Sequence, residues 1–548
     1  MLDVGGWQSI AGYTNHDDAM FHQQQHVQRP SIDAQLPIES IEQPTSVEST
    51  TTYRSPLSAS TESTYPTVIV SPAGREIPVK LQSYQPPRSG GATHRPSVSH
   101  KVSSKRVGGR ALGSHLDPEK AARTKAMREQ GSCWLCCLQR DSCTPGPICD
   151  RCSKRNSRPQ SDHGLGCDRT KLADLRDQFL PDLITAQHQP HALKSFVAEH
   201  VGRWLGQTVR VKIQLIWNMP KINCEMYEFE PKTNELEHQL QYSFNRATGA
   251  QEVVQKRSPP MAMTQIENSD RKQYDNFLNE VVAHFMPAFA RRRYGCESDD
   301  FQLRLLKLMI SLKEQERGKE EQDLMRQVFR LLVAKYIMAR TATIADEDRE
   351  ATLRQLRSYR GGMYDEGNCS PRMANRQLKY LFLKLETDIL TDVLKWLQQI
   401  LRSSKGGNKW TSAFVAILGL AMVHEDTQRM VHVHSDSQWK RGHVGQGEAQ
   451  RRAEEACRAI DERFGFVMTL FRWKYNRTFN PLRDVGDAKT LGCLGERVGG
   501  FVKDVHALIM EKHDYLMLRQ HVPIATENPS RYTSRLVARF LLSFWSPC

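Results

Sequence analysis

The chain has 548 residues, which is enough for two to four domains. Hydrophobic residues make up 39% and the formal net charge is +14, so a core can form and a polyanion such as nucleic acid is a favoured partner. The longest apolar run, residues 414–423, is about half a membrane span, and the first 25 residues are too polar for a signal peptide. We therefore expect neither a membrane protein nor a secreted one.

Residues 1–116 are predicted to be a disordered arm that ends in a basic cluster. Residues 1–100 are rich in Ser, Thr, Pro and Gln, and they hold too few apolar side chains to offset the chain entropy of folding. Their charge is mildly acidic, which fits either a solvated tail or a phosphorylated or activating region. The basic cluster contains Lys101, Lys105, Arg106 and Arg110.

A short basic helix is predicted over residues 118–130. Asp117 is a suitable N-cap, and Pro118 is favoured at the first helical position. Four basic side chains would lie on this helix, namely Lys120, Arg123, Lys125 and Arg128. Such clusters serve nuclear import or contact phosphates.

Seven of the 13 cysteines fall within residues 133–167. Six of them follow the spacing C-x2-C-x6-C-x5-C-x2-C-x14-C, and these are Cys133, Cys136, Cys143, Cys149, Cys152 and Cys167. A C-x2-C pair directs two sulfurs at one tetrahedral zinc. Because the remaining cysteines outside this stretch are scattered singly, we expect a reducing compartment and a metal site instead of disulfides. Cys137 is interpreted as a spectator thiol, since using it would disrupt the two-residue gap.

Six thiolates can hold two zinc ions per chain. Two zincs need eight ligand positions, and six sulfurs fill them if two of the sulfurs bridge both metals. Six thiolates and two Zn²⁺ carry a net charge of −2, which nearby basic side chains would offset. The stretch supplies six of these, namely Arg140, Arg151, Lys154, Arg155, Arg158 and Arg169.

This spacing resembles the zinc binuclear cluster DNA-binding domain of fungal transcription regulators. The resemblance covers about 40 residues and implies that Cys133 and Cys149 bridge the two zincs. It also implies two halves, CWLCCLQRDSC and CDRCSKRNS, that each form a metal-bound turn and a short helix. In the family the helix after the second cysteine enters the major groove, which here would assign base contact to Arg140.

Two features depart from the family pattern. The last gap, of 14 residues, is longer than usual, so His163 is an alternative to Cys167 as the sixth ligand. The segment between Cys136 and Cys143 has one Arg beside one Asp where family members are rich in basic residues. We therefore predict that DNA contact is made mainly to the phosphate backbone. The predicted DNA-binding residues are Arg140, Arg151, Lys154, Arg155 and Arg158.

The zinc cluster domain is predicted to span residues 117–180 with its flanking helices. Leu172, Leu175 and Phe179 fall on one helical face, but Pro181 ends the pattern after one and a half heptads. A coiled-coil dimer is therefore not indicated, and the oligomeric state stays open.

A small β-containing segment is predicted over residues 200–263. Apolar residues alternate with polar ones from Val209 to Leu215, which is typical of a half-buried strand. Two further strand patterns and a turn at 246–249 indicate an antiparallel sheet that residues 258–260 close.

Residues 264–548 are predicted to be a large all-α regulatory region, which makes the whole chain mainly α. His424, His432 and His434 lack the spacing of a metal site, and Arg291–Arg293 are interpreted as a basic patch at a helix end. The Gly pairs in RGGMY and KGGNK are interpreted as turns. No convergent nucleophile, base and orienting group is found, so an enzyme is not predicted.

The sequence thus predicts a nuclear, zinc-dependent transcription regulator of fungal type. It would bind duplex DNA through the cysteine cluster, and transcription machinery or co-regulators through the helices. The alternative is a zinc-stapled nuclear protein-interaction module that has lost sequence-specific DNA binding. The poverty of basic residues in CLQRDS supports this alternative.

Overall fold

The structure is a computed structural model of the full chain. It describes residues 117–156, 165–244, 251–263, 271–313, 318–364, 369–403, 409–440, 442–476, 479–524 and 529–545. The predicted disordered arm, together with Arg158 and His163, lies outside the described residues. The first described helix spans Pro118–Gln130 with Asp117 as its N-cap, which confirms the predicted helix and its capping residue.

The described part of the chain is mainly helical, with a small sheet, as predicted. The helices in chain order are α1 Pro118–Gln130, α2 Trp134–Gln139, α3 Asp150–Asn156, α4 Arg176–Phe179, α5 Asp182–Thr185, α6 Pro190–His200, α7 Arg271–Glu280, α8 Met286–Tyr294, α9 Phe301–Lys313, α10 Lys319–Met338, α11 Arg349–Leu353, α12 Arg372–Arg402, α13 Trp410–Lys440, α14 Gln446–Lys474, α15 Ala488–Gly492, α16 Glu496–Glu511, α17 His513–Gln520 and α18 Arg535–Leu542. A single π-helical turn, Val281–Phe285, joins α7 to α8.

The predicted antiparallel sheet is present between α6 and α7. The strands are β1 Val201–Gln214, β2 Ile222–Pro231, β3 His238–Phe244, β4 Gln251–Arg257, β5 Met261–Ala262 and, from the helical region, β6 Thr343–Ile344. One sheet has the order β5-β2-β1-β6, and β3 pairs with β4 in a separate hairpin. The alternation in β1 buries Val209, Val211 and Ile213, as the sequence pattern predicts. The pairing of β6 with the end of β1 was not predicted, because two residues carry no strand pattern.

The core of the helical region is formed by α10, α12, α13 and α14, which pack against one another. Residues 410–428 of α13 are buried on every face, so this helix lies in the centre of the body. No helix in the described ranges has the length and apolar content needed to cross a membrane.

The segment that follows the cysteines is part of this core. Leu172 and Leu175 lie on a 3-10 turn, Phe179 ends α4, and all three side chains are buried. The turn packs against α12, and α4 packs against α14. The apolar face that the sequence predicts for Leu172, Leu175 and Phe179 is therefore buried against the helical body.

Candidate metal centre and nucleic-acid surface

Four cysteine sulfurs converge between α2 and α3. The Sγ atoms of Cys133, Cys136, Cys149 and Cys152 all lie within 4.8 Å of one another, and all four residues are buried. Within the described ranges this is the one group of His, Cys, Asp or Glu side chains arranged so that it could hold a metal ion. The His424, His432 and His434 set does not form such a group.

The sulfur separations fit a tetrahedral thiolate site. Cys133 Sγ lies 3.7 Å from Cys152 Sγ, and Cys136 Sγ lies 3.6 Å from Cys149 Sγ. A zinc ion with Zn–S bonds of about 2.3 Å places its sulfurs about 3.8 Å apart. The donor set therefore suits a thiophilic metal such as zinc.

The two halves of the cluster share one local geometry. In the first half, Cys136 N–H donates to Cys133 Sγ at 3.4 Å, and Cys133 N–H donates to Cys143 Sγ at 3.5 Å. In the second half the same two bonds recur. Cys152 N–H donates to Cys149 Sγ at 3.4 Å, and Cys149 N–H donates to Cys167 Sγ at 3.3 Å.

Cys167 therefore occupies in the second half the place that Cys143 occupies in the first. Despite the long gap between Cys152 and Cys167, this sulfur accepts from the backbone of the second half, although it is not one of the four convergent sulfurs. Cys137, by contrast, points away, and its Sγ contacts the Arg402 carbonyl oxygen at 4.0 Å. Four of the six sulfurs picked out by spacing thus form the convergent group, and Cys143 and Cys167 contact the backbone of its members.

Burial and hydrogen bonding shift the thiol pKa values of Cys133 and Cys149, the two candidate bridging ligands, in opposite directions. Burial raises the pKa of the Cys133 thiol to about 11. Burial also acts to raise the pKa of Cys149, but hydrogen bonds from the Cys152 N–H and neighbouring thiols outweigh it, and the pKa falls to about 6. Zinc favours the thiolate form, so its binding would release protons from the cluster.

Arg169 ties the loops around the cluster together. Its guanidinium donates to the Gly131 carbonyl and, at 2.7 Å, to the Thr144 carbonyl. Trp134 is fully buried next to it, and its indole N–H donates to the Thr170 carbonyl at 2.8 Å. The chain after Cys167 therefore covers α2.

A family model described as KpeA transcription factor matches residues 179–540, about two thirds of the chain. The chain belongs to the KpeA transcription factor family. The matched range covers the small sheet and the helical body, and it begins after the cysteines. Membership of the KpeA family therefore supports a transcription factor, while the resemblance to zinc binuclear clusters rests on cysteine spacing. Comparisons with curated proteins and with solved structures returned no match.

In this KpeA-family chain the predicted DNA-binding residues lie in different surroundings. Arg140 is exposed at the C-cap of α2 with a left-handed φ of 57°. Lys154 is exposed on α3. Arg151 and Arg155 both form ion pairs with Asp141, at 3.2 Å for Arg155. Asp141 follows Arg140 in the sequence, but the ion-pair partners of Asp141 lie in the other half of the cluster.

α1 lies beside the second half of the cluster. None of its residues is buried, so its four basic side chains lie on an open surface. Arg123 forms a 3.6 Å ion pair with Asp150 at the start of α3. Gln130 Oε1 accepts from the Gly146 N–H at 3.0 Å. These contacts place the basic residues of α1 next to those of α3.

The remaining basic candidate, Arg291–Arg293, is a structural feature at the end of α8. Arg293 is buried and forms a bidentate pair with Asp426. It also donates to Glu297 at 3.3 Å. Arg293 therefore stabilises the packing of α8 on α13, and its guanidinium is not exposed to contact a phosphate.

Proposed function

We propose that this chain is a zinc-dependent transcription regulator that binds duplex DNA through its cysteine cluster. The single observation that carries the proposal is the repeated geometry of the two half-clusters, in which four buried thiols converge and Cys143 and Cys167 each accept from a backbone N–H beside them. Membership of a transcription factor family supports the regulatory role. We also propose a nuclear location and a non-catalytic role, which the family match supports.

The six cysteines would hold two zincs, with Cys133 and Cys149 as bridges. Each of these two sulfurs lies next to a thiol of the opposite half, at 3.7 Å and 3.6 Å. Each also accepts a hydrogen bond from the N–H group three residues later, which stabilises a shared thiolate. When bound, the two zincs would fix the two short helices relative to each other.

DNA contact would come from α1 and α3, and from Arg140 between the halves. The basic side chains of α1 and Lys154 are exposed on neighbouring elements, which favours contact with phosphates. Only Arg140 is on the helix that reads bases in the zinc binuclear cluster family. We therefore propose a grip dominated by the DNA backbone with weak base discrimination.

Elemental analysis of the purified full chain tests the metal proposal. We expect two zincs per chain. Cys149→Ala should lower the zinc content more than Cys167→Ala does, because a bridging thiolate serves both metals. Cys137→Ala, which removes a thiol outside the cluster, should keep both zincs. One zinc or none in the parent protein would refute the binuclear site.

The alternative function, a zinc-stapled protein-interaction module, is favoured by one observation. Asp141 neutralises two of the predicted DNA-contacting arginines, Arg151 and Arg155. Binding to random-sequence duplex DNA at low salt separates the two functions. Zinc-loaded protein that shows no binding there would support the interaction module, and salt-sensitive binding would support the DNA-binding regulator.

A further inference from the structure

A cleft of about 760 Å³ lies between the β3–β4 hairpin and the turn after α11. Its lining includes Lys256, Arg257, Arg360, Gly362, Tyr364 and Cys369. This volume is within the range of sites that bind small molecules, about 300–1,000 Å³. The cleft shares no residue with the cysteine cluster or with α1.

The described lining of the cleft is cationic. Lys256 and Arg257 come from the end of β4, Arg360 comes from the opposite wall, and none of the described lining residues is acidic. Neither arginine forms an ion pair with a carboxylate in the described part of the chain. Within the described ranges, Arg360 donates to carbonyl groups, those of Arg357 and Tyr359, at 3.2 and 3.0 Å. Two guanidinium groups that line one cleft suit an anionic head group.

Two uncharged residues of the lining, Tyr364 and Cys369, form a buried floor, with 6% and 3% of their surfaces exposed. Burial raises the pKa of Tyr364 to about 12 and that of Cys369 to about 12, so both keep their protons near neutral pH. A ligand with an apolar body could rest on this floor while its charge meets the arginines.

Hydrogen bonds hold both walls in place. Glu228 accepts from the N–H groups of Arg357 and Ser358, each at 2.8 Å, which fixes the chain before the turn. Ser258, next to Arg257, donates to the Ser370 carbonyl at 2.9 Å and so fastens β4 to the other wall. Gly362 has a φ of +76°, which favours glycine at this turn. A site formed in advance loses less entropy on binding.

We propose that this cleft binds a small organic anion, a carboxylate or a phosphate monoester attached to an apolar body. The guanidinium groups of Arg257 and Arg360 contact the anionic head, and the apolar body packs above Tyr364. The site would make the KpeA-family body responsive to a small molecule. The Gly pair in RGGMY then forms part of a ligand site in addition to a turn.

Calorimetric titration of the zinc-loaded full chain tests this proposal with two probes. Phenyl phosphate and phthalate carry the two kinds of anionic head on a planar body, and benzamide is the neutral control. We expect saturable binding of at least one anion and none of benzamide. Preference for one anion identifies the head group. Arg257→Gln and Arg360→Gln should each weaken binding about tenfold to a hundredfold, since each removes a charge-assisted contact.

A matched variant controls for the loss of one positive charge. Arg210→Gln removes an arginine that is 88% exposed on β1 and does not line the cleft, so it should bind the probes like the parent. Circular dichroism verifies that each variant is folded. The proposal is overturned if neither anion binds, or if the cleft variants bind as tightly as Arg210→Gln.

Discussion

The guanidinium carbon of Arg402 lies 4.3 Å from the centroid of the Trp134 ring. Arg402 is the last residue of α12, and Trp134 is the first residue of α2, directly after Cys133. Arg402 also donates to the Ser132 carbonyl at 3.2 Å, and Gln398 on the same helix accepts from the Leu172 N–H at 2.7 Å. The segments before and after the cysteine cluster, at Ser132–Trp134 and at Leu172, therefore both pack against α12.

Arg402→Met should loosen this contact. The variant loses a cation–π interaction and a hydrogen bond, so we expect the free energy of unfolding to fall by about 1–2 kcal/mol. Zinc should also pass faster to a colorimetric chelator, because the body no longer supports α2. As a control, Arg354→Met changes an arginine that is 67% exposed, and it should leave both quantities unchanged. Unaltered zinc release in Arg402→Met would show that the cluster is stabilised by its own ligands alone.

Asp141→Asn should strengthen DNA binding. It frees the guanidinium groups of Arg151 and Arg155, so the dependence of log K on log salt should steepen by about one to two units. Fluorescence anisotropy with random-sequence duplex DNA at several salt concentrations measures this slope. Zinc content should stay at the parent value.

The control for this prediction is Asp150→Asn. It changes the net charge by the same amount, but Asp150 is 69% exposed and pairs only with Arg123, at 3.6 Å. Its effect on the slope should be smaller. Equal effects of the two variants would mean that net charge, and not the release of two arginines, sets the affinity.

Lys154→Ala combined with Arg155→Ala should lower affinity similarly on all DNA sequences. The exposed Lys154 is assigned to a phosphate, and Arg155 adds a second contact only where DNA displaces Asp141, so the salt slope should flatten by about one to two units. Arg140→Ala should lower affinity modestly and remove whatever sequence preference exists. A double variant that binds like the parent, with no binding by Arg140→Ala, would instead favour the docking usual for zinc binuclear clusters.

Breaking the ion pair of Lys335 and Glu386 should lower the free energy of unfolding strongly, whereas replacing both residues by apolar ones should lower it little. The two charged atoms are 2.5 Å apart, and each side chain is 1% exposed. Lys335→Met alone leaves a buried carboxylate without its partner, which should cost about 3–5 kcal/mol of unfolding free energy. Adding Glu386→Met should restore most of the loss in urea denaturation. A double variant as unstable as the sum of its single variants would contradict this account.

Glu425 should make the stability of the body depend on pH. Burial raises its pKa from 4.5 to about 7, although the carboxylate accepts from the N–H groups of Ser534 and Val537 at 2.9 Å each. The folded state therefore holds this proton more tightly than the unfolded chain. The contribution is complete below about pH 4.5 and is lost as the pH rises through about 7, with a size of about 3 kcal/mol.

Glu425→Gln mimics the protonated carboxyl and should remove this part of the pH dependence. Urea midpoints at pH 5 and pH 8 should differ less in the variant than in the parent. Glu320→Gln, which changes a carboxylate that is 84% exposed, should keep the parent's profile. An unchanged profile in Glu425→Gln would exclude this residue as a source of the pH dependence.

Local patterns predicted much of this molecule, whereas contacts distant in sequence were not predictable. Asp117 and Pro118 predict the start of α1, and the alternation of Val209, Val211 and Ile213 with polar residues predicts β1. The partnership of Trp134 with Arg402 joins residues far apart in the chain, and no period or spacing encodes it. The sequence likewise places Asp141 next to Arg140, whereas in the structure Asp141 pairs with Arg151 and Arg155 in the other half of the cluster.

In the proposed DNA complex, the packing of Trp134 against α12 would also constrain how the protein approaches a double helix. A cluster on a flexible tether can settle on its site while the rest of the molecule drifts. Here the cluster is packed on the helical body, so in the proposed complex the body would lie at a set angle and distance from the bound groove. Nuclease protection should then extend past the base pairs that the cluster contacts, and on one side only.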